Sequence, residues 1–253
     1  MDKQLRPDKH RKEINLLKRD LYLDLFTKYI KNNNNFSFTK YGDGELKCIF
    51  SFEDGEKNCD NHPYSVKLAK LLSVSLVENC KRNNVFIGDW TGWNGDALSS
   101  LRDEFLHLYS IIANFVYYEA LLNHDEINLK LVNLFKTVKE SKRKKIFIRP
   151  DKLNEIKSIL NIDETISVPE TDSFSEYERI KSQALNLIED NCIFVFSFGM
   201  ASKVLTNDIL SANSKVTILD VGSGFDPISL TKTRDGQVNS EEVRKIYKEI
   251  LTF

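Results

Sequence analysis

This chain lacks most of the features that assign a sequence at a glance. Lysine and arginine total 36 against 37 aspartates and glutamates, leaving a net charge of −1 over 253 residues. Such a balance offers no basic excess for a nucleic-acid polyanion. No apolar run is long enough to span a bilayer. The opening Met1-Asp-Lys-Gln-Leu-Arg-Pro has none of the apolar core of a signal peptide. The four cysteines, Cys48, Cys59, Cys80 and Cys192, form no C-x-x-C pair and no zinc spacing, so they read as reduced, buried thiols of a cytoplasmic protein. Repeats and low-complexity linkers are missing as well, and no domain boundary stands out. What remains is a length and a 41% hydrophobic content that can close one large core. The expected division is a helical extension over residues 1–35 and a single α/β domain over 36–253.

Residues 9–31 carry Ile14, Leu17, Leu21, Leu25 and Ile30 among charged neighbours, an amphipathic helix pattern. Asparagines 32–35 break it. Phe36-Ser-Phe-Thr-Lys-Tyr41 then alternates with period two and reads as a strand. Beyond it, strand and helix patterns alternate. Helices are expected over 64–81, most of 96–140, 150–160, 176–189, 201–210 and from Asn239 onward; Ile111–Tyr118 can hold a strand. Strands are expected at Val85–Ile87, Lys145–Ile148, Thr165–Val168, Cys192–Ser197 and Val216–Asp220. This alternation predicts a Rossmann-like, mostly parallel sheet with helices on both faces, plus an N-terminal helix.

In such a sheet ligands bind beyond the carboxyl ends of the strands. Three segments with suitable chemistry fall there. Lys40-Tyr41-Gly42-Asp43-Gly44-Glu45 offers two carboxylates between glycines, hard oxygen ligands for Mg²⁺ or Mn²⁺ beside a diphosphate. The same residues also suit a plain capped turn. Ser197-Phe-Gly199-Met-Ala-Ser202-Lys203 joins a buried strand to a helix, where free N–H groups, a hydroxyl and a cation favour an anion. Asp220-Val-Gly222-Ser223-Gly224-Phe-Asp226 looks, in isolation, like the loop of an S-adenosylmethionine-dependent methyltransferase. That loop belongs after a first strand, and here 253 − 226 leaves 27 residues, room for one helix. The methyltransferase is therefore the alternative reading.

Taken together, the Gly-Asp-Gly-Glu turn after a first strand, the Gly199 turn and Leu219-Asp-Val-Gly-Ser near the end resemble the GT-D glycosyltransferases. The resemblance spans about residues 36–230. It implies a bacterial enzyme that transfers a sugar from a nucleoside diphosphate, usually a UDP-sugar, onto a surface glycan or lipid-linked glycan. It also implies that Asp43 and Glu45 form an Asp-x-Glu motif for metal and diphosphate, with Glu45 the expected direct ligand. Lys40 stands where that family often has arginine, keeping the charge but losing the bidentate fork. Lys40, Tyr41, Gly42, Gly44, Gly199, Ser202, Lys203, Gly222, Ser223 and Asp226 would surround the donor.

Other residues add candidates. Asp89, Asp96 and Glu119 are carboxylates that can serve as base toward an acceptor hydroxyl. Trp90 and Trp93 can stack on a sugar ring or pack in the core. His62, between Asn61 and Pro63, reads first as an exposed loop histidine and second as part of a sugar pocket. Lys139 and the run Lys142-Arg-Lys-Lys145 can be a solvated helix end or a contact with anionic lipid at the inner face of the membrane.

Overall fold

A strand whose successive residues are all apolar has no face to give to water. Cys192-Ile-Phe-Val-Phe196 is such a strand, so it belongs in the middle of a sheet covered on both sides. A computed structural model of the chain places it there. The structure describes residues 9–51, 53, 55–89, 95–117, 120–121, 127–226, 228–229 and 240–252.

Among the described residues seven strands form one sheet: β1 (Ser37–Tyr41), β2 (Val85–Asp89), β3 (Phe115–Tyr117), β4 (Lys145–Arg149), β5 (Glu164–Ser167), β6 (Ile193–Phe196) and β7 (Thr217–Asp220). Their order is β3-β2-β1-β7-β6-β4-β5, and every pairing is parallel. The helices are α1 (Lys9–Lys31), α2 (Asp43–Phe50), α3 (Val66–Cys80), α4 (Gly95–Leu108), α5 (Leu129–Glu140), α6 (Glu155–Ile159), α7 (Tyr177–Leu187), α8 (Ala201–Ala212) and α9 (Ser240–Thr252). Short 3-10 turns cover Asp151–Leu153, Ser173–Glu176 and Gly222–Phe225.

Period-two alternation sends side chains to two separate cores. From β6, Phe194 and Phe196 enter one core with α2, α3, α7 and α8, while Ile193 and Val195 enter the other with α1, α5 and α9. The expected N-terminal helical segment belongs to this second core. Leu23, Phe26 and Ile30 of α1 are at most 2% exposed, and Phe26 stacks on Phe36 with centroids 4.7 Å apart. Three such side chains bury about 5–8 kcal/mol of apolar surface. That is comparable to the net stability of a whole domain, so α1 is integral to the fold.

The topology also makes the crevice. From β1 the chain steps outward to β2 and β3, crosses to β4 and β5, and returns through β6 to β7 beside β1. The segments that continue from β1 and from β7 leave the sheet on opposite faces. Leu46 and Cys48 of α2 pack in the first core, and Phe225 after β7 packs in the second. The sheet therefore opens at the carboxyl ends of β1 and β7, the switch point where such folds bind ligands.

Candidate functional site

A cleft of about 380 Å³ lies at that switch point, lined by the ends of β1, β6 and β7 and the loops between strands and helices. Its first wall is the start of α2. Gly42 caps the helix in extended conformation (φ −85°, ψ −172°), and its N–H donates to Glu45 Oε2 at 2.8 Å. Glu45 thus turns back on the helix start, as a third-position glutamate does in a capping box. Asp43 faces elsewhere, because residues two apart on a helix do not share a face. Its carboxylate is 37% exposed, has Lys47 3.8 Å away, and lines the cleft. Neither glycine serves a left-handed turn here. Gly44 leaves room instead, since a Cβ there would press on Asn58 Cβ at 3.0 Å.

The centre of the site is a buried cation. Lys203, in the first turn of α8, is 4% exposed. Its ammonium lies 2.9 Å from Asp220 Oδ2 and 3.2 Å from Glu45 Oε1, and donates to Gly199 O and Ser202 Oγ. Burial works against its charge, but Asp220 and Glu45 more than offset that and hold its pKa above the ordinary lysine value. Ser202 Oγ donates inward to Gly199 O at 2.7 Å. Asp220, 1% exposed, also accepts from the Lys40 backbone N–H. The Lys40 ammonium donates to Val221 O at 3.1 Å, and a Cβ on Gly222 (φ +59°) would come within 2.4 Å of it. Gly222 thus combines a left-handed conformation with the close approach of a lysine head.

The opposite wall is the loop after α2. Asn58 Oδ1 accepts from the N–H groups of Asp60 and His62, an Asx turn that sets the loop's shape. It delivers His62 to the cleft, 6% exposed, against Gly199 (φ +68°). A Cβ on Gly199 would stand 2.7 Å from His62 Nε2. Burial lowers the imidazole pKa below its usual value, opposed by Asp60 and Glu45 and reinforced by Lys203.

Several sequence candidates therefore converge. Lys40, Asp43, Gly44, Glu45, Gly199, Lys203, Gly222, Ser223 and Asp226 all line the cleft. Others are placed differently. Tyr41 points into the core, where its hydroxyl meets Ser75 and Asn79 of α3, because alternate residues of a strand face opposite ways. Glu45, the expected direct metal ligand, has both oxygens engaged, by Gly42 N–H and by Lys203. The space beside Gly199 is filled by His62, which is buried where an exposed loop histidine was expected. Asp89 ends β2 and Asp96 is the second residue of α4; Glu119, Trp90 and Trp93 lie outside the described residues. Cys59 is exposed while the other three thiols are buried and free.

The lysine run sits at the far end of the sheet, and two of its cations are spent inside. Arg143 and Lys145 are 8% and 5% exposed. Lys145 donates to Ser141 O and Arg143 O. Among the described residues no helix is long and apolar enough to cross a membrane. Sequence reasoning missed the contacts that join Glu45, Lys203 and Asp220, since the three come from separate elements.

No family model and no curated protein matches the sequence. Two solved structures do match in shape. One is a selenomethionine-substituted structure of domain of unknown function 1792, with TM-score 0.56 at 16% identity. The other is described as showing that this highly conserved domain "has a distinct glycosyltransferase fold", with TM-score 0.55 at 16% identity. Each alignment covers 87% of this chain and 88% of the other. This chain, with its seven parallel strands, two helical layers and N-terminal helix, has the fold of those glycosyltransferase-like structures.

Proposed function

We propose that the protein is a glycosyltransferase that moves a sugar from a nucleoside diphosphate, a UDP-sugar first, to a hydroxyl of a glycan acceptor. The observation that carries this reading is the cleft at the β1/β7 switch point, in a glycosyltransferase-like fold, with two lysine heads and an open carboxylate around it. The donor diphosphate lies along the cleft beside the turn at Gly222, where Lys40 and Lys203 oppose its charge. Lys203 has a second role: it keeps Glu45 and Asp220 from repelling the diphosphate.

The chemistry of the donor set fits a divalent ion. Mg²⁺ and Mn²⁺ at diphosphates take one or two protein carboxylates and complete their shells with phosphate oxygens and water. Asp43, half-open on the cleft wall, is the protein ligand in this reading, and Glu45 acts through Lys203. When bound, the ion would supply charge neutralisation for the departing diphosphate.

The test is a panel of sugar nucleotides with Mn²⁺, reading released nucleoside diphosphate. We expect UDP release from at least one UDP-sugar, and an Mn²⁺ requirement raised at least about tenfold in Asp43→Asn. If Glu45→Gln and not Asp43→Asn shifts the Mn²⁺ requirement, Glu45 is the ligand. The methyltransferase alternative has little support: β7 leads to no further strand among the described residues, and Asp220 is occupied by Lys203. A thermal shift with S-adenosylmethionine, and none with UDP and Mn²⁺, would reverse that preference.

A further inference from the structure

Buried polar groups are almost always hydrogen-bonded, and an exception calls for a reason. His62 is placed differently: its ring nitrogens are not among the fully buried atoms that lack a partner, so they keep access to the cleft. It is only 6% exposed, yet among the described residues its imidazole has no hydrogen-bond or ion-pair partner. What exposure it keeps opens to the cleft that it lines. A packing histidine would be expected to bond one ring nitrogen to a carbonyl or carboxylate, whereas this ring is left to what enters the cleft.

The surroundings set where the ring lies all the same. The Asx turn of Asn58 fixes the loop, and Asn58 N–H donates back to His62 O at 3.0 Å. Across the cleft, Gly199 has no side chain, and the imidazole occupies the place a Cβ would take. The charged groups facing the ring are Asp60 in its own loop, Glu45 of α2, Lys203 of α8 and Asp172 after β5. Their signs oppose one another, and burial prevails, so the ring is neutral at pH 7 with a free lone pair.

We infer that His62 is the general base of the transfer, taking the proton of the acceptor hydroxyl as its oxygen attacks the anomeric carbon of the donor sugar. The inference rests on the glycosyltransferase reading above. The new carbon–oxygen bond forms while the bond from the anomeric carbon to the diphosphate oxygen breaks. The electron pair of that bond leaves with the nucleoside diphosphate, and the imidazolium later returns its proton to water. Because attack and departure are one displacement at the anomeric carbon, its configuration inverts.

The experiment compares wild type with His62→Gln, using the UDP-sugar that releases most UDP, Mn²⁺, and octyl β-D-glucopyranoside as acceptor probe. UDP affinity is measured by calorimetry in parallel. The expected result is a fall in kcat of about 10²–10⁴-fold with UDP affinity changed by less than about threefold. Imidazole added to His62→Ala restores part of the rate without altering UDP affinity, which a structural role would not do. In wild type, kcat/KM falls as the pH drops through a value below the ordinary histidine range of about 6.5, and His62→Gln lacks that limb. A kcat within about threefold of wild type overturns the inference. So does a loss of UDP affinity that matches the loss of rate, which would make His62 a donor contact. Should the variants fail to fold, the wild type still decides. A product of retained configuration, or a kcat/KM with no acid limb below the ordinary histidine range of about 6.5, overturns the inference. If wild type neither binds UDP nor releases it from any donor, the glycosyltransferase reading itself falls, and the base with it.

Discussion

The two ends of the sheet both bury a cation, and they treat it differently. At the amino end, Arg143 sits between the segments that lead into β1, β6 and β7. Its guanidinium donates to Asn35 Oδ1 at 2.6 Å, to Thr217 Oγ1 at 2.7 Å and to the carbonyls of Asn191 and Cys192. All four acceptors are neutral, and burial pulls its pKa down to about 10. At the carboxyl end, Lys203 lies between two carboxylates and its pKa is raised. A cation that ties carbonyls together only has to hold a shape. One paired with carboxylates beside an open cleft sets a field that a charged ligand would feel. Parallel sheets concentrate chemistry at one end, and these two cations show how the division is built from side chains.

The largest effect we expect is at the carboxyl end. Lys203→Met leaves Glu45 and Asp220 buried without their counter-charge, costing about 3–5 kcal/mol. A triple variant, Lys203→Met with Asp220→Asn and Glu45→Gln, removes both charges and recovers most of that stability, yet does not regain UDP affinity. Urea denaturation beside UDP calorimetry separates the two quantities. If the triple variant recovers neither, the pairing is not the source of the loss; if it recovers both, Lys203 has no part in binding. The pH dependence has a definite sign. Because the folded pKa of Lys203 is raised, the pair's contribution is complete below the ordinary lysine value of about 10.4. It is lost as pH climbs through the raised value.

At the amino end the expected loss is smaller. Arg143→Met leaves only neutral acceptors unpaired, a cost of about 2–3 kcal/mol. UDP affinity of the folded fraction should be unchanged, because the clamp lies across the sheet from the cleft. An Arg143→Met protein of normal stability with weakened UDP binding would abolish the distinction drawn between the two ends.

How much of this is open to a reader of the sequence obeys the same division between local and long-range. The element order is legible because periodicity is local: Phe36–Tyr41, Cys192–Ser197 and the helical runs between carry their pattern in every few residues. The stretch 96–140 reads as mostly helical, with room for a strand near Ile111–Tyr118. The strand there, Phe115–Tyr117, has only three residues at the sheet edge, too short to impose a period. Pro150 suggests the start of one helix through Leu160; instead a 3-10 turn precedes a five-residue α6. Within the site, the capped helix start at Gly42-Asp-Gly-Glu45 is legible because its geometry is contained in four residues. The partners of Glu45 are not, since Lys203 arrives on α8 and Asp220 on β7. The burial of His62 depends on a glycine across the cleft, and no pattern in its own loop announces that.

The smallest predicted effect on stability carries the comparison down to single backbone angles. Left-handed residues at the amino end include Asn33, Ser110, Asn161 and Asn191, each with φ between 51° and 64°. Asparagine tolerates that region by bonding its own backbone, so a side chain is acceptable there. At the carboxyl end, Gly199 and Gly222 have φ of 68° and 59°, much the same values. Conformation alone therefore does not require glycine at those two positions. Space does: a Cβ would stand 2.7 Å from His62 Nε2 at Gly199 and 2.4 Å from Lys40 Nζ at Gly222. Gly199→Asn keeps a residue type suited to the angle and adds only the side chain itself. Its cost to stability should be about 1 kcal/mol, because the imidazole can rotate toward the cleft while the Asn58 turn keeps its loop in place. Its cost to turnover should be far larger, since the imidazole is pushed off its seat in the cleft. Asn191→Gly, the reverse exchange at the other end, should change turnover not at all. A thermal melt and a UDP-release assay on both variants test the pair. Equal turnover in Gly199→Asn and wild type would mean that the contact between Gly199 and His62 is packing and nothing more.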